Sequence, residues 1–127
     1  MEAAIIGGSR VVSIDLSGRC ILIVEDVPLI TMEIAAALQS ARATIRTART
    51  LHDALRLAEE PALSAAIIDL ALGSETPLAL CNRLAERGVP FVIYTGYSDF
   101  PPECKPSAVL RKPADRETIL RAVAALV

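Results

Sequence analysis

Five polar side chains stand at the ends of short apolar runs, and together they form a chemically usable set. Glu25 and Asp26 follow Ile21-Leu22-Ile23-Val24, and Asp69 follows Ala65-Ala66-Ile67-Ile68. Thr95 follows Phe91-Val92-Ile93-Tyr94, and Lys112 comes one residue, Arg111, after Ala108-Val109-Leu110. Three carboxylates brought close together repel one another, and at least one pKa would rise unless a cation joins them. Mg2+ meets that need, because it takes one to a few carboxylates together with water and phosphate oxygens. Beside such a cation, Asp69 could attack phosphorus as a nucleophile and give an aspartyl phosphate. Thr95 and Lys112 would then stabilise charge on the phosphoryl oxygens, since this chemistry depends mostly on positioning and electrostatics.

The elements that must position these residues can be read from hydrophobic periodicity. The four apolar runs are nearly continuous, as strands covered on both faces are. A fifth segment, Ala43-Thr44-Ile45-Arg46-Thr47-Ala48, mixes Arg and Thr with its hydrophobes and reads as an edge strand. Between the strands, Ile30, Ile34, Ala37 and Leu38 share one face of a helix beginning near Pro28. Leu51, Ala54, Leu55 and Ala58 repeat at helical spacing after Thr50, with Asp53 completing a capping-box-like start. Thr76-Pro77 opens the next helix, carried by Leu78, Cys81, Leu84 and Ala85 and stopped at Gly88. The last helix puts Ile119, Ala122, Val123 and Leu126 on one face, with Asp115 as its N-cap. This alternation predicts an α/β fold: a doubly wound parallel sheet with right-handed crossovers and helices on both faces. Ligands bind such sheets at the carboxyl ends of the strands, which is where the polar set falls.

Two stretches break the alternation. Tyr97 to Ser107 carries Pro101, Pro102 and Pro106 where a fourth helix would stand, so an irregular segment is expected there. Residues 1–17 precede the first buried strand as an extension, either a flexible tail or an added edge strand built from Val12, Ile14 and Leu16, and residues 18–127 make up the domain itself.

Composition narrows the function classes. A chain of 127 residues is one domain in size, and its 53% hydrophobic and 3% aromatic content calls for an aliphatic core. A net charge of −2 offers no basic stripe for a nucleic-acid partner. No apolar run approaches the roughly 18 residues that a spanning helix needs, and the start Met1-Glu2-Ala3-Ala4-Ile5-Ile6 lacks the basic residues of a secretion signal. Cys20, Cys81 and Cys104 are far apart with no C-x-x-C pair, which predicts plain packing or surface thiols in a reducing cytoplasm. His52 lies on the helix after Thr50, away from the polar rim, and reads as a surface residue rather than a phosphodonor.

From about Gly18 to the C-terminus, the chain resembles the receiver domains of response regulators (CheY-like). VEDVPLI supplies the acidic pair, AAIIDLALG the phosphoacceptor, YTG the hydroxyl and LRKP the lysine, in that order and each at a predicted strand end. The resemblance implies a five-stranded sheet of order 2-1-3-4-5 and a Mg2+ site made by Glu25, Asp26, Asp69 and the backbone carbonyl of Ala71. It implies a two-component phosphorelay, in which a histidine kinase donates a phosphoryl group to Asp69. The stretch VPFVIYTGY is also similar to the PFxFATGY ("FAT GUY") signature of single-domain regulators from alphaproteobacteria, which are often served by HWE-type kinases. That likeness makes Gly96 and Tyr97 candidates for the switch. There are departures: Val109 stands where receivers carry a switch aromatic, Gly73 where many have Pro, and Ala71 has no side chain to reach a phosphoryl group.

Three function classes compete. The first is a single-domain phosphorylation switch, not an enzyme beyond catalysing its own phosphorylation and dephosphorylation. Since the sequence ends at Val127, soon after the last helix, such a switch is expected to signal through a downstream protein partner. The second is a receiver-like interaction module that works without phosphorylation. The third is a Mg2+-dependent phosphatase with an Asp nucleophile, a class that wants a second acid where Ala71 stands.

Overall fold

The computed structural model describes residues 3–6, 9–72, 76–96 and 102–127. The chain opens with two short strands, β1 (Ala3–Ile6) and β2 (Ser9–Val12). It then alternates through β3 (Cys20–Val24), α1 (Pro28–Ser40), β4 (Thr44–Ala48), α2 (Leu51–Leu57) and β5 (Leu63–Ile68). It finishes with α3 (Leu78–Glu86), β6 (Phe91–Thr95), β7 (Ala108–Arg111) and α4 (Arg116–Ala124). Strands β3 to β7 form one parallel sheet in the order β4-β3-β5-β6-β7, which is the expected 2-1-3-4-5.

Period-two alternation explains why the central runs are apolar throughout. Leu22 and Val24 of β3 join Ala66, Ile68, Phe91 and Ile93 in the layer beneath α2 and α3. Ile21 and Ile23 join Ala65, Ile67, Val92 and Tyr94 in the opposite layer beneath α1 and α4. Successive side chains point to opposite faces, so a strand covered on both sides needs a hydrophobe at every position. The mixed segment β4 lies at the sheet edge, as its Arg and Thr content predicts.

Local signals set the helix ends. Pro28 occupies the first turn of α1, and the Thr50 hydroxyl accepts the Asp53 N–H at 3.1 Å to start α2. Asp115 caps α4 by accepting the Thr118 N–H at 2.8 Å. Gly88 ends the α3 turn at φ +68°, a left-handed conformation that glycine enters without Cβ strain.

In the Pro-rich stretch, residues 102–107 form turn and coil rather than helix; residues 97–101, and with them Tyr97, lie outside the described residues, as does Gly73. This segment overturns the thiol reading. Cys81 of α3 and Cys104 are joined by a disulfide, with Sγ–Sγ 2.04 Å and Cα–Cα 5.4 Å, and Cys20 alone is a free, buried thiol. The two partners are 23 positions apart, and only the folding of this segment against α3 brings them together. With two of the three thiols joined, cysteine usage no longer argues for a reducing compartment. Among the described residues, no helix is long and apolar enough to cross a membrane.

The N-terminal stretch also differs from an edge strand built on Val12, Ile14 and Leu16. The strand is Ser9–Val12, and it pairs antiparallel with Ala3–Ile6 in a separate two-stranded sheet. These strands flank Gly7-Gly8 in the sequence, a pair that two-residue hairpins favour. Leu16 is buried against the α1 side of the main sheet, where its N–H donates to the Ala41 carbonyl at 2.7 Å.

Candidate functional site

Three of the candidate residues are pinned by extending a sheet ladder one step beyond the strand. The Glu25 N–H donates to the Ala48 carbonyl at 3.0 Å, and the Asp69 N–H donates to the Val24 carbonyl at 2.8 Å. The Lys112 N–H donates to the Thr95 carbonyl at 2.8 Å. Glu25, Asp69 and Lys112 are therefore placed by the end of the sheet itself.

The side chains converge as the sequence predicts. Glu25, Asp26 and Asp69 each offer a carboxylate oxygen, and these atoms lie within 4.8 Å of one another. Glu25 and Asp69 are buried, with 1% and 5% of their surface exposed, and Asp26 is half-buried. The Lys112 ammonium reaches Glu25 Oε1 at 2.7 Å and Asp69 Oδ1 at 3.4 Å. Val27 N–H donates to Glu25 Oε2 at 3.2 Å, and Ala71 N–H donates to Asp69 Oδ1 at 3.2 Å, so the chain after Asp69 turns over its carboxylate. Thr95 is fully buried at the end of β6. Gly96 is exposed, and a Cβ added there would meet nothing within 4 Å.

Burial drives the electrostatics. It pushes the Glu25 carboxyl above the ordinary glutamate value, against the pull of the Lys112 hydrogen bond and with further help from the nearby Asp69. Burial also works to lower the Lys112 pKa, but the Glu25 hydrogen bond and the charge of Asp69 outweigh it and hold the ammonium above the usual lysine value. One ammonium facing three carboxylates leaves an excess of negative charge. Three clustered carboxylates are hard oxygen donors, so the site fits Mg2+ or Ca2+ rather than a thiolate-seeking metal.

Two features of the site are not apparent from residue spacing. Lys112 lies nearer to Glu25 than to Asp69. Tyr94 is the other: its ring lies 5.5 Å from the Lys112 ammonium, and its hydroxyl accepts the Ala114 N–H at 3.0 Å. In the sequence Tyr94 is one more hydrophobe of a buried strand; its place directly before Thr95 is the sole clue. His52 is exposed on α2, as expected for a surface residue.

The comparisons with known proteins agree with this fold. A receiver domain (CheY-like) from Methanospirillum hungatei superposes with a TM-score of 0.77 at 22% identity, over 84% of this chain and 91% of that one. A receiver domain from Methylobacillus flagellatus gives 0.75 at 24% identity, over 86% and 98%. A response regulator from Burkholderia pseudomallei, whose structure holds a phosphorylated aspartic acid, a calcium ion and citrate, gives 0.74 at 25% identity, over 86% and 66%. The curated proteins yield no match. The model of the response regulator receiver domain matches residues 21–124, which contain all five polar residues of the site, and the chain belongs to that family.

Proposed function

We propose that the protein is a phosphorylation switch that accepts a phosphoryl group on Asp69 from a histidine kinase and signals through a protein partner. The observation that carries this reading is the cluster of Glu25, Asp26 and Asp69 oxygens within 4.8 Å, with the Lys112 ammonium 3.4 Å from Asp69. An Asp69 oxygen attacks phosphorus in line, and the bond to the leaving group breaks with its electrons going to that group, an imidazole nitrogen or acetate. Lys112 faces the nucleophile and moves from carboxylate partners toward phosphoryl oxygens as charge builds there. Thr95, at the adjoining strand end, supplies a hydroxyl to the same oxygens. Glu25, Asp26, Asp69 and the Ala71 carbonyl would hold Mg2+, which when bound neutralises the carboxylates and the phosphoryl group together. The phosphorylated aspartate and calcium ion of the Burkholderia protein support the same assignment here.

The partner side has its own support. Val27, Leu29 and Met32, at the start of α1 beside Asp26, are exposed hydrophobes, and apolar surface beside a reactive rim suits a docking protein. The finer reading is a single-domain cytoplasmic regulator of the PFxFATGY kind, served by an HWE-type kinase, with Gly96 and Tyr97 in the switch. It rests on VPFVIYTGY and on the absence of helix at residues 102–107. A phosphorylation-independent module is the second reading, favoured by Val109, which lies 42% exposed on β7 where an aromatic would couple to the site.

Incubation with acetyl phosphate and Mg2+ decides between these readings. A hydroxylamine-sensitive mass gain of one phosphoryl group, abolished in Asp69→Asn, is expected. No gain in the wild type, or undiminished labelling of Asp69→Asn, overturns the assignment.

A further inference from the structure

Lys112 ends in an ammonium on a flexible four-carbon stem, and something must fix it if it is to meet the phosphoryl group in one place. Two consecutive residues of β6 grip the turn that carries it. The Thr95 carbonyl holds the Lys112 N–H at 2.8 Å, the Tyr94 ring lies 5.5 Å from the ammonium, and the Tyr94 hydroxyl holds the Ala114 N–H at 3.0 Å. Tyr94 itself is 4% exposed and packs in the apolar layer beneath α1 and α4, so its ring is immobilised by the core. A buried tyrosine hydroxyl wants a polar partner, and here it finds one two residues beyond Lys112.

We propose that Tyr94 is the positioning residue of Lys112, holding the ammonium beside Asp69 through its ring and fixing the following turn through its hydroxyl. The choice of an aromatic has a chemical reason. A ring face attracts the cation without offering an oxygen, so the three ammonium protons stay available to carboxylate and phosphoryl oxygens. A carboxylate at the same point would compete with the phosphoryl group, and an aliphatic residue would hold neither the ammonium nor the Ala114 N–H. The metal ligands are anchored at the ends of β3 and β5, so Tyr94 reaches them only through Lys112, whose ammonium contacts Glu25 and Asp69. The inference rests on the reading that Lys112 serves phosphoryl transfer to Asp69.

The test uses the full chain as wild type, Tyr94→Phe and Tyr94→Leu. Three quantities are compared: the phosphorylation rate with acetyl phosphate at saturating Mg2+, the Mg2+ dissociation constant of the unphosphorylated protein, and the NMR shifts of the Lys112 ε-methylene. Tyr94→Leu should slow phosphorylation by about five- to seventyfold, the scale of one cation–π contact and one hydrogen bond together. Its Mg2+ affinity should change by a smaller factor than its rate, because Tyr94 is coupled to the ligands only through Lys112. The ring-current shift of the ε-methylene should vanish in Tyr94→Leu and persist in Tyr94→Phe, whose rate falls between the other two. An unchanged rate or an unchanged ε-methylene shift in Tyr94→Leu overturns the proposal, as does a loss of rate and Mg2+ affinity in parallel, which would mark a general structural role. Should Tyr94→Leu fail to fold, Tyr94→Phe decides by its rate, and equality with wild type overturns the hydroxyl's part. A wild type that takes no phosphoryl group overturns the reading of function and this proposal with it; a phosphorylated wild type matched by Tyr94→Leu overturns this proposal alone.

Discussion

Reducing the Cys81–Cys104 bond should cost this domain a large share of its stability. The bond closes a loop spanning 23 positions, which contains the end of α3, all of β6 and the start of the Pro-rich segment. Constraining that loop in the unfolded chain contributes about 3.4 kcal/mol at room temperature by the chain-entropy relation. Both sulfurs are buried, and reduced thiols there would still pack as small hydrophobes, so little of this is recovered or lost through contacts. With a urea m-value of roughly 1.5 kcal/mol per molar for a domain of this size, the unfolding midpoint should fall by about 2 M. The assay is urea unfolding followed by far-UV circular dichroism, with and without a phosphine reductant. A thiol count on the denatured samples accompanies it: Cys20 alone should label in the oxidised protein, and all three cysteines after reduction. In Cys81→Ser/Cys104→Ser the midpoint should no longer respond to reductant. Three reactive thiols in the oxidised sample would refute the pairing; equal midpoints at a confirmed single thiol would refute the entropic reasoning.

Four further outcomes are expected. Mg2+ should raise the melting temperature, with stabilisation of about 2.7 kcal/mol at a hundredfold excess over its dissociation constant, and Asp26→Ala should lose the shift; equal shifts would put the metal elsewhere. Asp115 is held below the ordinary carboxylate value by the Thr118 hydroxyl and N–H, so its contribution is present above the unfolded value of 3.8 and lost as pH falls through the folded one. The stability gap between wild type and Asp115→Ala, measured by denaturant unfolding, should therefore be full at neutral pH and close in acid. Gly88→Ala should cost about 1 kcal/mol in chemical denaturation, from the left-handed backbone alone, because an added Cβ meets nothing within 4 Å. Phosphorylation should raise amide-exchange protection across residues 96–107 more than across 115–127; a response confined to the final helix would refute the switch role proposed for Gly96 and Tyr97.

The site was legible because of how a two-sided sheet must be written. When every position of a strand is apolar, the first polar residue beyond it marks the strand end, and Glu25, Asp69 and Thr95 all stand at such breaks. Thr50 and Asp115 were equally readable, since a cap is a contact over three residues. What escaped were contacts that depend on the path of a turn. Lys112 beside Glu25 spans 87 positions, and Tyr94 beside Ala114 spans 20. The periodicity of either segment is the same whether or not such a contact forms.

The cysteine pair escaped for the same reason, and it changes how the right-hand side of the sheet should be understood. Beyond β6 the face beneath α2 and α3 has no helix among the described residues to cover it, and Val109 of β7 remains exposed. Cys104 nevertheless belongs to the same buried layer as Phe91 and Ile93, and the Ser107 N–H donates to the Phe91 carbonyl at 2.8 Å. A segment with prolines at 101, 102 and 106 cannot satisfy its backbone as a helix would, so apolar burial alone is a weak anchor for it. The bond to α3 supplies what the missing helical turns do not. It ties Cys104 to α3, the helix between β5 and β6. The Cys81–Cys104 bond, rather than helical hydrogen bonding, therefore fixes the described part of this segment against α3.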